Sequence, residues 1–242
     1  MSLIVIPARL ESKRLYGKPL IKICGRELIL RVIDRCIKSV AERVIVITDS
    51  EAIYNICKKT EISDVIIDKT QAFCGTDRVA RVLNRYDDNT ILNVQCDEPF
   101  MPPEMLNLLI EDLDNNLDYI NTPYVEIEEL RAKDQNIVKV VMNKNNFALY
   151  FSRELIPYQK DCDKKIYNKH IGVYGFHRET LIAFSSLKIG NLEKKEQLEQ
   201  LRALENNIPI KMLKWHDDII SINVLADIKK AEKYLDGVNV HG

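Results

Sequence analysis

The loop after the first apolar run of the chain is strongly basic. It carries four cations within ten residues, at Arg9, Lys13, Arg14 and Lys18. In open α/β sheets, the loops at the carboxyl ends of the strands form the ligand crevice, so cations there fit an anion such as a triphosphate. The loop is neither a GxGxxG nor a Walker-type GxxxxGK phosphate loop, because Gly17 and Lys18 are followed by proline. On composition alone, a solvated basic loop is the competing interpretation.

Two acids follow a later apolar run. Asp97 and Glu98 come directly after ILNVQ (91–95), which predicts that they reach the same sheet edge as the basic loop. Magnesium prefers carboxylate oxygens and commonly takes one or two of them while sharing phosphate oxygens with a nucleotide. Asp97 is therefore the candidate metal ligand. The alternative is a turn acid before Pro99 that caps the next helix.

Two further segments carry polar groups that could bind a ligand. A Gly75-Thr76 turn opens a helix, so free backbone N–H groups and Arg78 could face a base or a phosphate, although Thr76 or Asp77 could simply cap the helix. In the second half, His170 starts a strand. The acceptors of one helical segment lie three and four residues apart, at Glu193, Glu196, Glu199 and Gln200. That spacing predicts a shared face toward sugar hydroxyls, and a solvated helix face is the alternative.

The elements that must position these residues alternate between strand and helix. Apolar runs predict strands at 2–7, 43–48, 64–68 and 91–95, and helical spacing predicts helices at 27–40, 51–58, 76–86 and 103–113. This pattern indicates an α/β fold with a doubly wound, mainly parallel sheet.

From residue 118 the pattern becomes that of a mixed sheet. INTPYV, IVKVVMN and FALYFS are strand-like segments, and KHIGVYGF (169–176) is predicted as one more strand. Helices are predicted at 178–184, 192–204 and 225–235, with a strand at 208–213. We expect a single domain over residues 1–242 with an inserted mixed-sheet lobe at about 118–175.

Composition narrows the class of partner. The 35 basic and 36 acidic residues give a net charge of -1, so we expect small-molecule partners rather than nucleic acid or a membrane. The six cysteines form no CxxC pair, which predicts reduced thiols and no zinc site. The apolar run at the start is too short for a signal peptide or a membrane span, so a cytoplasmic location is expected.

Seven motifs in order, from near residue 4 to about 210, resemble the 3-deoxy-manno-octulosonate (Kdo) cytidylyltransferases, also called CMP-Kdo synthetases. They are IPARLESKRLYGKPL, VIVITDS, CGTDRVARV, NVQCDEP, ALYFSRELIPY, KHIGVYGF and LEKKEQLEQLRALENNIPI. The resemblance implies a Mg²⁺-dependent transfer of CMP from CTP to the anomeric hydroxyl of Kdo, with release of pyrophosphate, for lipopolysaccharide synthesis. It also implies that the sheet is a nucleotide-binding sheet of the nucleotide-diphospho-sugar transferase type. The inserted lobe is implied to close over the sugar and to build a homodimer.

The resemblance assigns roles residue by residue. Arg9, Lys18 and Asp97 are the implied catalytic residues, with Asp97 as magnesium ligand. The implied CTP-binding residues are Pro7, Ala8, Arg9, Arg14, Lys18, Gly75, Thr76, Arg78 and Gln95. The implied sugar-binding residues are His170, Tyr174, Glu196, Glu199 and Gln200.

The chain departs from the family pattern at several positions. Tyr16, Cys74 and Cys96 replace proline, serine and glycine of the family motifs, and Ala72 stands where a histidine is usual. Asn223 stands where the family has a second metal-binding aspartate, so its oxygen could still bind Mg²⁺, but without the charge. The nearby acids that could compensate are Asp217, Asp218 and Asp227.

Two alternatives to a Kdo enzyme remain open from the sequence. One is a cytidylyltransferase for another acidic sugar, such as amino-Kdo or a sialic-type acid. The other is a catalytically silent CTP-binding homologue, which Asn223 and Cys96 would favour.

Overall fold

The computed structural model describes residues 1–11, 15–114, 118–160 and 164–239. The elements of the first half are β1 (Ser2–Ala8), β2 (Lys22–Ile23), β3 (Arg26–Glu27), α1 (Leu28–Cys36), β4 (Arg43–Thr48), α2 (Glu51–Cys57), β5 (Asp64–Ile67), α3 (Gly75–Ala80), β6 (Thr90–Val94) and α4 (Pro103–Asp114). Short 3₁₀ helices cover Lys18–Leu20 and Arg81–Asn84. The predicted alternation of strands and helices is therefore confirmed, with boundaries shifted by a few residues.

Four strands of this half form a parallel sheet in the order β5-β4-β1-β6. Alternate residues of β1 face opposite sides of the sheet, so Ile4 and Ile6 join one apolar cluster while Leu3 and Val5 join the other. All four side chains are fully buried. A continuous apolar run forms β1 because helices cover both faces of the sheet.

The second half adds mixed strands to the same sheet. Its elements are β7 (Ile120–Glu128), α5 (Glu129–Ala132), β8 (Lys139–Met142), β9 (Ala148–Ser152), β10 (Ile166–His170), β11 (Val173–His177), α6 (Arg178–Ser186), α7 (Asn191–Glu196), α8 (Gln200–Glu205), β12 (Ile210–Lys214) and α9 (Leu225–Asn239). β11 pairs antiparallel with β6, and β7, β10, β8 and β9 continue the sheet beyond it. β12 pairs parallel with β7. The strands of the predicted lobe thus extend the nucleotide-binding sheet.

The prediction of one strand over residues 169–176 is wrong. β10 ends at His170 and β11 begins at Val173, and the chain changes partner between them. β10 pairs with β7 and β8, whereas β11 pairs with β6 and β7. At the break, the N–H of Ile171 donates to the carbonyl of Pro123, and the carbonyl of Gly172 accepts from the N–H of Gln95. Residues 171 and 172, between the two strands, therefore connect the first half of the chain to the second through hydrogen bonds.

The prediction of a continuous helix over residues 192–204 is also wrong. α7 ends at Glu196, and Gln197 adopts the left-handed conformation with φ 56° and ψ 46°. The backbone N–H of Gln197 donates to Glu193 O, and its side chain donates to Lys194 O, so the helix end is satisfied locally. α8 begins afresh at Gln200. Glu196, Glu199 and Gln200 consequently do not share one helix face.

No helix in the described ranges is both long and apolar enough to cross a membrane.

Candidate active site

The basic loop and the acidic turn meet at the carboxyl ends of β1 and β6, which are neighbours in the sheet. Lys18 Nζ lies 2.8 Å from Asp97 Oδ2, and both side chains are largely buried. Gly17 adopts φ 67° and ψ 17°, a left-handed conformation that glycine adopts without strain, just before the helical turn that carries Lys18. The predicted meeting of these two segments is therefore present as an ion pair.

The segment that carries Asn223 contacts the backbone of Asp97. The N–H of Ile222 donates to the carbonyl of Asp97 at 2.9 Å, which places Asn223 one residue beyond this contact. Asp227 Oδ2 accepts from the backbone N–H groups of Asn223 and Val224 at the start of α9. Its carboxylate thus stabilises the helix start.

The other two candidate compensating acids are held elsewhere. Asp218 pairs with Lys169 and Arg131. Asp217 is exposed beside His216. The described residues contain no group of three or more His, Cys, Asp and Glu side chains placed to hold a metal ion. Asp97 would supply a carboxylate oxygen to an Mg²⁺ ion, and Asn223, next to the bond between Ile222 and Asp97, would supply an amide oxygen. These oxygen ligands fit the usual magnesium chemistry, in which phosphate oxygens complete the set.

Glu98, the residue after Asp97, is bound by a different part of the chain. Its side chain is buried, and Ser221 Oγ lies 2.8 Å from each of its carboxylate oxygens. Burial, reinforced by the charge of Asp97, raises the pKa of Glu98 to about 7. Sequence reasoning assigned Glu98 no separate role, because nothing in the pattern shows which of two adjacent acids after a strand is buried.

Several of the predicted CTP-binding residues lie near the Gly75-Thr76 turn, among them Pro7 and Gln95. The backbone N–H of Thr76 donates to Glu199 Oε2 at 3.1 Å, and Gln95 Nε2 donates to Glu199 Oε1 at 3.2 Å. A Cβ on Gly75 would lie 3.5 Å from Pro7 Cγ, so the turn packs closely on the end of β1. Glu199, predicted on the sugar side, lies among the predicted cytidine-side residues. Its burial raises its pKa.

The arginines predicted to bind CTP are placed differently from one another. The buried Arg78 donates to the carbonyl of Asp68 at 2.8 Å and to Asp49 Oδ2 at 3.4 Å, so its guanidinium is engaged within the protein. Arg9 follows the buried Ala8 and is exposed. Arg14 lies outside the described residues. Among the described residues, Lys18 and Arg9 are thus the loop cations at the crevice.

A buried polar cluster occupies the predicted sugar side. His170 Nε2 lies 2.9 Å from Thr122 Oγ1, and its ring packs against Phe151 and Tyr174. Burial lowers the pKa of His170 to about 3, so the imidazole is neutral. The Tyr174 hydroxyl donates to Gln200 Oε1 at 3.0 Å. No described residue accepts from the buried Gln200 Nε2, which leaves an unsatisfied donor.

Glu196 lies apart from this cluster. It accepts from Ser152 Oγ at 2.7 Å and from the backbone N–H of Arg153 at 3.1 Å, which ties α7 to β9. This arrangement is a direct consequence of the helix break at Gln197.

Arg202 is a buried residue that sequence reasoning missed. It donates to both oxygens of Glu193 at 2.7 Å and to Asp77 Oδ1 at 2.8 Å. These bonds connect α8 to α7 and α3, and so hold the helix that carries Gln200 against the Gly75-Thr76 turn. A charged residue within the apolar pattern of a helix was the available signal.

Known proteins resemble this chain over nearly its full length. A family model described as "Cytidylyltransferase" matches residues 3–214. The 3-deoxy-manno-octulosonate cytidylyltransferase of Fusobacterium nucleatum subsp. nucleatum is 38% identical over 98% of this chain and 97% of the relative. The protein of the same name from Rickettsia felis is 39% identical over 99% of this chain and 97% of the relative.

Solved structures give the same correspondence. A CMP:2-keto-3-deoxy-manno-octonic acid synthetase complexed with CTP superposes with a TM-score of 0.89 at 31% identity, and 98% of each chain is covered. The inositol-1-phosphate CTP transferase of T. maritima superposes with a TM-score of 0.68 at 14% identity, covering 98% of this chain and 96% of the other, which shows a shared fold.

Proposed function

Because this chain belongs to the 3-deoxy-manno-octulosonate cytidylyltransferase family, we propose that it transfers CMP from CTP to the anomeric hydroxyl of Kdo and releases pyrophosphate. The observation that carries the proposal is the Lys18–Asp97 pair, which places a cation and a carboxylate together at the sheet edge where the phosphates would bind. The full-length relation to the family supports the proposal that CTP binds at this edge.

Lys18 and Arg9 would bind the triphosphate. A phosphate oxygen can replace the carboxylate of Asp97 as the partner of the Lys18 ammonium, which holds the α-phosphate near Asp97. Positioning and stabilisation of charge on the phosphate oxygens are the main help that protein side chains can give such a transfer. Asp97 and Asn223 would hold Mg²⁺, whose charge would neutralise phosphate oxygens.

The sugar would bind next to His170, Tyr174 and Gln200. Gln200 Nε2 is a buried donor without a protein acceptor, and burying such a donor is costly unless a ligand satisfies it. A carboxylate or hydroxyl of the acidic sugar can do so. Glu199 lies between this cluster and the Gly75-Thr76 turn, so it links the two substrate sites.

Assembly, location and pathway belong to the same proposal. A homodimer through residues 118–175 is supported by the exposed apolar side chains of Leu130, Leu149 and Tyr158. A cytoplasmic location is supported by the free thiols of the described cysteines, as expected in a reducing compartment. The CMP-Kdo product would serve lipopolysaccharide synthesis.

A pyrophosphate-release assay with CTP and Mg²⁺ tests the function. The acceptor panel is Kdo, amino-Kdo, a sialic acid and no acceptor. We expect release to depend on Kdo and to be much slower with the other acids. Faster turnover with another sugar acid would reassign the acceptor, and CTP binding without turnover on any acceptor would identify a silent homologue.

A further inference from the structure

The two neighbouring acids of the QCDEP segment have different partners and different burial. Asp97 pairs with Lys18 at the crevice, whereas Glu98 is 4% exposed and accepts from Ser221. A buried carboxylate is costly unless hydrogen bonds hold it, so this one needs a specific structural or functional reason.

Glu98 joins three segments that border the site. Its backbone N–H donates to Gln95 O at 3.2 Å, which closes the turn containing Asp97. A Cβ on Gly172 would lie 3.4 Å from Glu98 Oε1, so the glycine after β10 permits the close approach of the carboxylate. Ser221 brings in the third segment, which runs from Ile219 to Asn223.

The third segment is fixed at successive residues. Lys169 Nζ donates to Ile219 O at 2.6 Å, Ser221 bonds Glu98, and the N–H of Ile222 donates to Asp97 O at 2.9 Å. Two of these three contacts are made by the turn that contains Asp97, the candidate metal ligand: one by Glu98 and one by the carbonyl of Asp97. Two bonds therefore tie the residues next to Asn223 to this turn: the backbone bond from Ile222 to Asp97 and the side-chain bond from Ser221 to Glu98.

We propose that Glu98 is a positioning residue: through Ser221 it holds Asn223 at a fixed separation from Asp97, so that both oxygens can bind one Mg²⁺ ion with CTP. This inference rests on the proposed function. It assigns Glu98 no contact with substrate, and it explains why the segment retains a second, more deeply buried carboxylate next to Asp97.

The experiment compares Glu98→Ala, Glu98→Gln, Ser221→Ala and the Glu98→Ala/Ser221→Ala double variant. CTP affinity is measured by calorimetry over a series of Mg²⁺ concentrations without acceptor, and the Mg²⁺ midpoint is compared with that of the initial rate. We expect Glu98→Ala and Ser221→Ala each to raise both midpoints by about tenfold, the effect of losing one hydrogen bond to a charged group. Glu98→Gln retains an accepting oxygen and should shift them less.

The double variant separates positioning from two unrelated defects. If the bond between Glu98 and Ser221 acts as a unit, the double variant is no worse than Glu98→Ala alone. Asp88→Ala is the matched control, because Asp88 is also a buried carboxylate with a hydrogen-bond partner, Arg43. It precedes the start of β6, whereas Asp97 and Glu98 follow the end of that strand. It should lower the melting temperature and leave the Mg²⁺ midpoints unchanged.

Unchanged midpoints in folded Glu98→Ala, or additive shifts in the double variant, would overturn the inference. If Glu98→Ala does not fold, Ser221→Ala alone decides, since its side chain is smaller and only partly buried. Absence of turnover in the wild type would count against the proposed function, whereas the calorimetric midpoint tests the positioning role without turnover.

Discussion

The Lys18 ammonium lies beside the Asp97 carboxylate, where it competes with a metal ion for the same oxygen. Its removal should therefore raise the affinity for the metal and lower the affinity for the nucleotide. In Lys18→Met, the carboxylate of Asp97 loses its ammonium partner at 2.8 Å. The free enzyme should then bind a divalent cation more tightly, because the metal no longer displaces Lys18. CTP should bind more weakly, because a phosphate contact is lost.

The size of both effects follows from the same pair. A hydrogen bond to a charged group contributes about 1.5 to 3 kcal/mol, and about 1.4 kcal/mol is tenfold in affinity. The two side chains are 12% and 18% exposed, so solvent screens the pair only in part. We therefore take the lower end of the range. Metal affinity without nucleotide should rise about tenfold, and CTP affinity should fall about tenfold or more.

Electron paramagnetic resonance with Mn²⁺ measures the first effect, and calorimetry with CTP measures the second. Lys22→Met is the matched control, because it removes the same charge from a side chain that is 61% exposed and 3.5 Å from Glu27. It should change neither affinity. An unchanged Mn²⁺ affinity in Lys18→Met would refute the competition at Asp97, and an unchanged CTP affinity would remove Lys18 from the phosphate site.

Three further predictions concern the metal, the sugar and pH. Asp97→Asn should lower kcat by orders of magnitude, and a normal rate would contradict the assignment of Asp97. Asn223→Asp should lower the Mg²⁺ concentration at half-maximal initial rate, and an unshifted midpoint would contradict the assignment of Asn223. Gln200→Ala should raise the KM for Kdo and spare CTP affinity in steady-state and calorimetric assays, and the reverse pattern would move Gln200 to the CTP side. His170 has its pKa lowered from 6.5 to about 3, so its contribution to stability is complete above pH 6.5 and is lost as the pH falls toward 3. Urea unfolding should show this loss as about 1.4 kcal/mol per pH unit, and an equal pH dependence in His170→Gln would disprove it.

The parallel half of the fold and the meeting of its loops were predictable from local pattern. β1 and β6 are apolar runs buried on both faces, and the carboxyl ends of adjacent parallel strands share an edge. Lys18 and Asp97 had to approach each other once those strands paired. Periodicity predicted that both loops reach one edge of the sheet, whereas the pairing of β1 with β6, which brings Lys18 to Asp97, is a finding of the structure.

The breaks in the second half were not predictable in the same way. Gln197 adopts a left-handed conformation without being glycine or asparagine, so the sequence around it still has helical spacing. Gly172 was a visible signal of a break between β10 and β11, but its significance depends on the nearby Glu98 and Gln95 side chains. Pairing with distant strands decided the break between β10 and β11. Local bonds of Gln197 end α7, so Glu196 and Gln200 lie on separate helices.

The most direct test of the proposed function is product analysis by phosphorus NMR and mass spectrometry after incubation with CTP, Kdo and Mg²⁺. The account predicts that the α-phosphorus of CTP appears in a phosphodiester to Kdo, with an equal amount of pyrophosphate and a mass equal to that of CMP-Kdo. Unconsumed CTP with folded protein, or formation of free CMP at the same rate with and without Kdo, would contradict it.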